Sequence, residues 1–161
     1  MIQAAKNLVD LLAAHSLVCA TAESCTGGGV ASAITDVPGS SAVFAGGVVS
    51  YANEVKRDVL GVKSKTLAEF GAVSAQTAAQ MATGVLSLMK CDLAVSLTGI
   101  AGPGGGSDEK PVGLVWFALA DRNGVRTEKA IFMGDREEVR RKAVVHALGM
   151  LSVAAVGGVG S

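Results

Sequence analysis

Nine consecutive residues, Thr21-Ala22-Glu23-Ser24-Cys25-Thr26-Gly27-Gly28-Gly29, gather hydroxyls, a carboxylate, a thiol and three glycines. They follow a short apolar run, Leu17-Val18-Cys19-Ala20, that reads as a buried strand. They precede Val30, Ala31 and Ile34, which share one face of a helix. Nucleophilic side chains therefore sit where a strand turns into a helix. Three glycines oppose helix formation by about 3 kcal/mol relative to alanine. Two readings offset that cost. Either the bare backbone lets a ligand or another element come close to the positive end of a helix, or Ser24 or Thr26 caps the helix and the glycines serve packing alone.

A serine needs a base to take its proton. His15 ends the first helical stretch and His146 lies mid-helix beside core positions, so neither is well placed to serve Ser24. Lys56 comes five residues after Tyr51, just past a strand end. Buried near a tyrosine, its amine would lose pKa and act as base. On spacing alone the stronger reading is a solvated lysine beside Arg57 and Asp58. Cys25 is the rival nucleophile, because a helix N-terminus lowers a thiol's pKa, although cysteine is also among the residues most often buried.

Anion binding is the second chemistry on offer. Thr26 to Gly29 and Gly99 to Gly106 are glycine-rich and each follows a strand, but neither fits a P-loop or a dinucleotide fingerprint. Backbone amides of such loops can still cradle a phosphate. Arg136, Arg140 and Arg141 head the last helix and could add charge, or they form a solvated face paired with Glu137 and Glu138. Asp36, Asp92, Asp108, Glu109 and the histidines show no metal-ligand spacing, so neither a metal nor a cofactor is expected.

The elements that must position these groups follow in order. The spacing predicts helices over 2–15, 26–35, 53–60 (capped by Asn53), 64–70 and 75–89 (capped by Ser74). Strands are predicted over 17–22, 42–51 and 92–98, the second of them buried. Gly46-Gly47 in its middle signals a bulge or a tight neighbour. Residues 112–120 and 125–133, joined across Asp121 to Gly124, read as an antiparallel hairpin. Asp135 with Glu138 forms a capping box for a last helix faced by Val139, Ala143, Ala147, Met150 and Leu151. The chain end, 157–161, is expected to fray. This order predicts a single α/β domain over 1–161: a three-layer α/β/α sandwich on a mixed, mostly parallel sheet of about five strands, one of them antiparallel. Ligands bind such sheets beyond the carboxyl ends of the strands, where Ser24, Tyr51 and Thr98 would share one edge.

Composition narrows the class. Fourteen basic residues balance fourteen acidic ones in 161, which argues against a dedicated nucleic-acid binder with its clustered basic excess. Half the residues are hydrophobic, yet no apolar run approaches the roughly 20 residues of a membrane span. Met1 to Asp10 lacks the pattern of a signal peptide, and three cysteines without a framework point to a reducing cytoplasm. The apolar helix 75–89 would serve a dimer as readily as a core, and a homo-oligomer is expected.

Read together, Thr21 to Gly28, Tyr51 to Lys56, Gly71-Ala72-Val73-Ser74, Thr98-Gly99-Ile100-Ala101-Gly102-Pro103 and Lys110-Pro111-Val112-Gly113 resemble the CinA C-terminal domain family, in order and over nearly the whole chain. Stand-alone members of that family are nicotinamide-nucleotide amidases, which convert nicotinamide mononucleotide to nicotinic acid mononucleotide and ammonia. The resemblance implies a Ser/Lys amidase with Ser24 as nucleophile, Lys56 as base and Tyr51 orienting or polarising them. It implies that Glu23 positions the Ser24 turn and that amides after Ser24, or near Gly99, form the oxyanion hole. Thr26, Gly27, Gly28, Thr98, Gly99, Ala101 and Gly102 would hold the substrate, with Arg136, Arg140 and Arg141 meeting its phosphate. A module that holds a nucleotide without turnover, in a regulatory or competence-linked role, is the alternative.

Overall fold

A computed structural model describes residues 1–158 and 160. Helix α1 (Ile2–Ala14) leads into strand β1 (Cys19–Glu23), followed by α2 (Gly29–Thr35), a short 3-10 turn (Ser40–Ala42) and β2 (Phe44–Val49). Three helices come next, α3 (Asn53–Asp58), α4 (Ser64–Phe70) and α5 (Ala75–Met89). Then follow β3 (Leu93–Gly99), the hairpin β4 (Leu114–Asp121) and β5 (Gly124–Ile131), and α6 (Arg136–Gly157).

The five strands form one sheet in the order β2-β1-β3-β4-β5. β1 pairs in parallel with β2 and β3, whereas β4 runs against both β3 and β5. Four strands thus share a direction and β4 alone opposes it. α1, α2 and α6 cover one face, closing a core of Leu8, Leu12, Val30, Ile34, Val95, Phe117 and Leu148. α5 covers the other over Ala20, Ala22, Ala94 and Ala118, small residues that let Met81, Ala82 and Val85 approach the strands. Gly84 lets the segment after α3 lie against α5: a Cβ there would stand 1.9 Å from the Leu60 carbonyl oxygen.

Local signals explain the helix ends. Ser74 caps α5 by accepting from the Thr77 amide. Asp135 and Glu138 close a reciprocal capping box on α6. Gly157 is still helical and the Gly158 amide reaches the Ala154 carbonyl, while residues 159 and 161 of the expected frayed end lie outside the described residues. Asn53 is the first residue of α3, not its cap; Ala52 occupies that place. α2 starts at Gly29 rather than at Thr26, because Gly27 and Gly28 adopt φ of +61° and +98°, left-handed values that a helix cannot contain.

β2 departs from the sequence reading. It is an edge strand whose residues alternate between half-buried and exposed. Its glycines do both things expected of them. The register slips between Cys19 and Ala20, leaving Ala45 without a β1 partner, and a Cβ on Gly47 would meet Thr21 Oγ1 at 2.3 Å.

Candidate active site

Register decides which residues meet. Glu23 pairs with Val49 on one side and Leu97 on the other. Ser24, Ser50 and Thr98 are therefore level with one another at the carboxyl edge of three parallel strands. The Ser24 amide continues the ladder to the Leu97 carbonyl at 3.0 Å, and the Ser50 amide bonds the Glu23 carbonyl at 2.8 Å.

The turn after Ser24 is braced from behind. The Glu23 carboxylate, 1% exposed, accepts from the Thr26 hydroxyl at 2.5 Å and from the Val30 and Ala31 amides at 3.0 and 2.9 Å. It caps α2 from one residue before Ser24, placing negative charge on amides that have no intrahelical partner. The Gly27 amide closes back on the Ser24 carbonyl at 3.0 Å.

Lys56 reaches the same point from α3. It is 1% exposed, among the most buried large side chains of the protein. Its neighbours Arg57 and Asp58 pair with each other at 2.7 Å on the outside, and Lys56 faces inward. Nζ lies 3.0 Å from Ser24 Oγ, 2.7 Å from the Ser50 carbonyl and 3.4 Å from the Tyr51 carbonyl. No carboxylate forms an ion pair with it among the described residues. Burial lowers its pKa from the ordinary 10.5, with only the nearby Cys25 thiol acting the other way.

An open pocket of about 300 Å³ lies over Ser24. Cys25, Tyr51, Arg136, Gly99 to Gly102, Gly104 and Gly105 line it. The amides of Ala101, Gly102, Gly104 and Gly105 donate to no acceptor among the described residues, so this loop offers a cluster of free N–H donors, the composition of an anion cradle. Arg136 spans the mouth, donating to the Gly102 carbonyl at 2.9 Å and to the Tyr51 hydroxyl at 3.1 Å. Both acceptors are neutral, which leaves its charge uncompensated at the rim.

The expected site residues divide accordingly. Ser24, Lys56, Gly99, Ala101, Gly102 and Arg136 converge. Tyr51, a residue 61% exposed, contributes its backbone carbonyl to Lys56, while its phenol bonds Arg136, not the Ser24–Lys56 pair. The Thr98 hydroxyl is turned to the Ala72 carbonyl at 2.8 Å, tying β3 to the segment before α5. Thr26, Arg140 and Arg141 line a separate cavity behind the turn, and Gly27 and Gly28 shape that turn. The Ser50 carbonyl was missed by sequence reasoning, and only its place one residue past a strand end hints at it. Cys25 is buried, and desolvation pushes its thiol up to about 11, which makes it a poor nucleophile near neutrality. His146 lies elsewhere, against Phe117 and 2.5 Å from Glu128.

The model of the CinA C-terminal domain matches residues 1–154. The chain belongs to that family. It is 50% identical over 149 residues to the Escherichia coli K12 protein named nicotinamide-nucleotide amidohydrolase PncC, covering 92% of this chain and 90% of the relative. A protein of the same name from Enterobacter agglomerans is 56% identical over 128 residues, covering 79% of this chain and 78% of the relative. Among solved structures, the competence/damage inducible protein CihA of Agrobacterium tumefaciens superimposes with a TM-score of 0.92 at 48% identity, covering 96% of this chain and 94% of that one. The CinA superfamily protein KP700603 of Klebsiella pneumoniae superimposes with a TM-score of 0.93 at 38% identity, covering 96% of this chain and 97% of that one. Among the described residues no helix is long and apolar enough to cross a membrane.

Proposed function

We propose that this amidohydrolase acts on nicotinamide mononucleotide, releasing ammonia and nicotinic acid mononucleotide through an acyl-enzyme on Ser24. The amidohydrolase class rests on the relatives' names. The reading of the mechanism is carried by the 3.0 Å contact between Lys56 Nζ and Ser24 Oγ. A neutral amine has two N–H donors and one lone pair. The Ser50 and Tyr51 carbonyls can only accept, so they take the two N–H groups and the lone pair is left for the Ser24 hydroxyl.

The steps follow from that arrangement. Ser24 Oγ attacks the carboxamide carbon as its proton passes to Nζ. The carbonyl oxygen becomes an oxyanion, and the free amides of the turn after Ser24 receive it. The C–N bond then breaks, with the Lys56 proton going to the departing nitrogen, and ammonia leaves. Water, deprotonated by the same amine, attacks the ester and returns Ser24. Arg136 and the free amides of the 101–105 loop support recognition of the phosphate, because a cation with neutral partners gains most from a dianion.

An ammonia-release assay on nicotinamide mononucleotide, with free nicotinamide as the control, tests this. Turnover of the mononucleotide is expected, and Ser24→Ala and Lys56→Ala should each lose at least a factor of about a thousand. Mononucleotide binding without ammonia would favour the non-catalytic nucleotide module. Turnover kept in Ser24→Ala but lost in Cys25→Ala would assign the nucleophile to the thiol.

A further inference from the structure

The rear of the Ser24 turn holds a charge that the steps above leave unused. Arg140, on the first turns of α6, is half-buried. Its Nε donates to the Cys25 carbonyl at 3.2 Å and its Nη2 to the Thr26 carbonyl at 3.0 Å. No carboxylate pairs with it among the described residues. Its positive charge is felt at the Cys25 thiol, where it acts against the upward shift caused by burial.

The hydrogen bonds of the turn form a pattern. A trans peptide points its C=O and its N–H in opposite directions. The Cys25 carbonyl shares a peptide with the Thr26 amide, so a guanidinium on that carbonyl aims the Thr26 N–H away from Arg140. The Ser24 carbonyl shares a peptide with the Cys25 amide, and the Gly27 N–H fixes it in the same way. Glu23 already occupies the Val30 and Ala31 amides. The Cys25 and Thr26 amides donate to no other residue among the described residues, the Cys25 amide being felt only by its own thiol. Two free donors thus follow the nucleophile directly, each held in direction by a bond to the far end of its own peptide.

We infer that Arg140 is a positioning residue for the oxyanion hole. It fixes the Thr26 amide from behind, polarises that peptide so that its N–H donates more strongly, and sets a positive charge behind the turn without touching substrate. This inference rests on the proposed role of Ser24 as nucleophile toward a carboxamide. It separates Arg140 from Arg136, only one helical turn away, which lines the pocket itself. Charge develops on the oxygen only as the carbonyl is attacked, so the effect of Arg140 belongs in kcat and not in KM.

Steady-state ammonia release from nicotinamide mononucleotide by Arg140→Ala and Arg140→Lys, with melting temperatures recorded, tests it. Loss of a well-placed oxyanion donor costs 10²–10³ in kcat, so a misdirected one should cost Arg140→Ala about 10- to 100-fold, with KM near the wild-type value. A cavity of about 270 Å³, bounded by Ser32, Asp36 and Arg141, opens on the guanidinium from the rear. Guanidinium chloride at tens of millimolar should therefore restore part of the Arg140→Ala rate and leave the wild type unchanged. Should Arg140→Ala not fold, Arg140→Lys decides, because a single ammonium cannot hold both carbonyls in the planar fork geometry and kcat should fall severalfold in a folded protein.

A raised KM with kcat preserved would make Arg140 a phosphate ligand and overturn the inference. A lowered melting temperature with both constants unchanged would reduce it to packing. The rate at which a fluorophosphonate labels Ser24 is a readout that needs no nucleotide, and it should slow in parallel with kcat. A wild-type protein that is labelled but releases no ammonia overturns the substrate reading alone, and the labelling rates of the variants still decide the role of Arg140. A wild-type protein that is neither labelled nor active overturns both.

Discussion

Lys56 Nζ sits 3.0 Å from Ser24 Oγ, and its two other partners are backbone carbonyls supplied by residues 50 and 51. When the amine takes the serine proton, the new ammonium is already surrounded by fixed oxygen dipoles. Little has to reorganise at that moment, which is the condition under which a buried base works best.

The depressed pKa of Lys56 has two consequences with pH. Activity requires the neutral amine, so kcat/KM should rise with pH through the folded-state pKa of Lys56 and level off below the ordinary 10.5. Stability follows the same sign. In the window between the lowered folded value and the ordinary one, the unfolded chain binds more protons, so stability rises with pH. Cys19, Cys25 and Cys91, raised by burial from 9.0 to about 12, 11 and 11, slope the opposite way above pH 9. Denaturation of wild type and Lys56→Met, compared below pH 9, should isolate the lysine. The wild-type curve is expected to gain relative to the variant as pH rises, and parallel curves would show an amine of ordinary pKa.

Arg136 makes two bonds to neutral acceptors at the pocket mouth. A phosphate dianion in their place would pair charge with charge and make shorter, stronger, bidentate bonds. Arg136→Ala should raise KM for nicotinamide mononucleotide by about 10- to 100-fold with a smaller change in kcat. The preference for the mononucleotide over its dephosphorylated riboside should shrink by a similar factor. Competition kinetics with the two substrates would measure it.

Glu23 serves three donors from a buried position. In Glu23→Gln the shape is kept, but an NH2 group must face an N–H or O–H that has nothing else to bond. That conflict costs about 1–3 kcal/mol of stability, readable by urea denaturation. Because the carboxylate braces the turn that carries the nucleophile, kcat should fall as well, while KM holds.

Much of this architecture could be read in the chain. The Asp135 and Glu138 box, the Ser74 cap and the Asp121 to Gly124 turn announce themselves through local chemistry, and each element forms near its expected bounds. β2 was legible as a strand but not as an edge, because exposure depends on which strand lies beyond it, and among the described residues none does. α2 starts three residues later than apolar spacing predicts, since that spacing does not report the backbone angles of Gly27 and Gly28. The site itself was legible at Ser24, where strand, glycines and hydroxyls coincide. Lys56 was not legible from its neighbours, since the charges of Arg57 and Asp58 suggest a solvated stretch, and only the packed structure shows those two paired outside and the lysine within. Nor could spacing separate the arginines of α6. Arg136 and Arg140 share a helical face, and the tertiary packing alone sends one into the pocket and the other behind the turn.

α6 runs unbroken from Arg136 to Gly157, a rod of about 33 Å at the usual helical rise. Its first turn guards the entrance, its second grips the back of the nucleophilic bend, and its remainder is wedged against α1 and the sheet by Ala147, Leu148 and Leu151. Entrance and bend therefore cannot shift independently. Any roll or slide of the rod, even one begun by repacking near its far end, acts as a lever on both together, so a substitution remote from every reacting atom could throttle turnover while leaving each site residue in place.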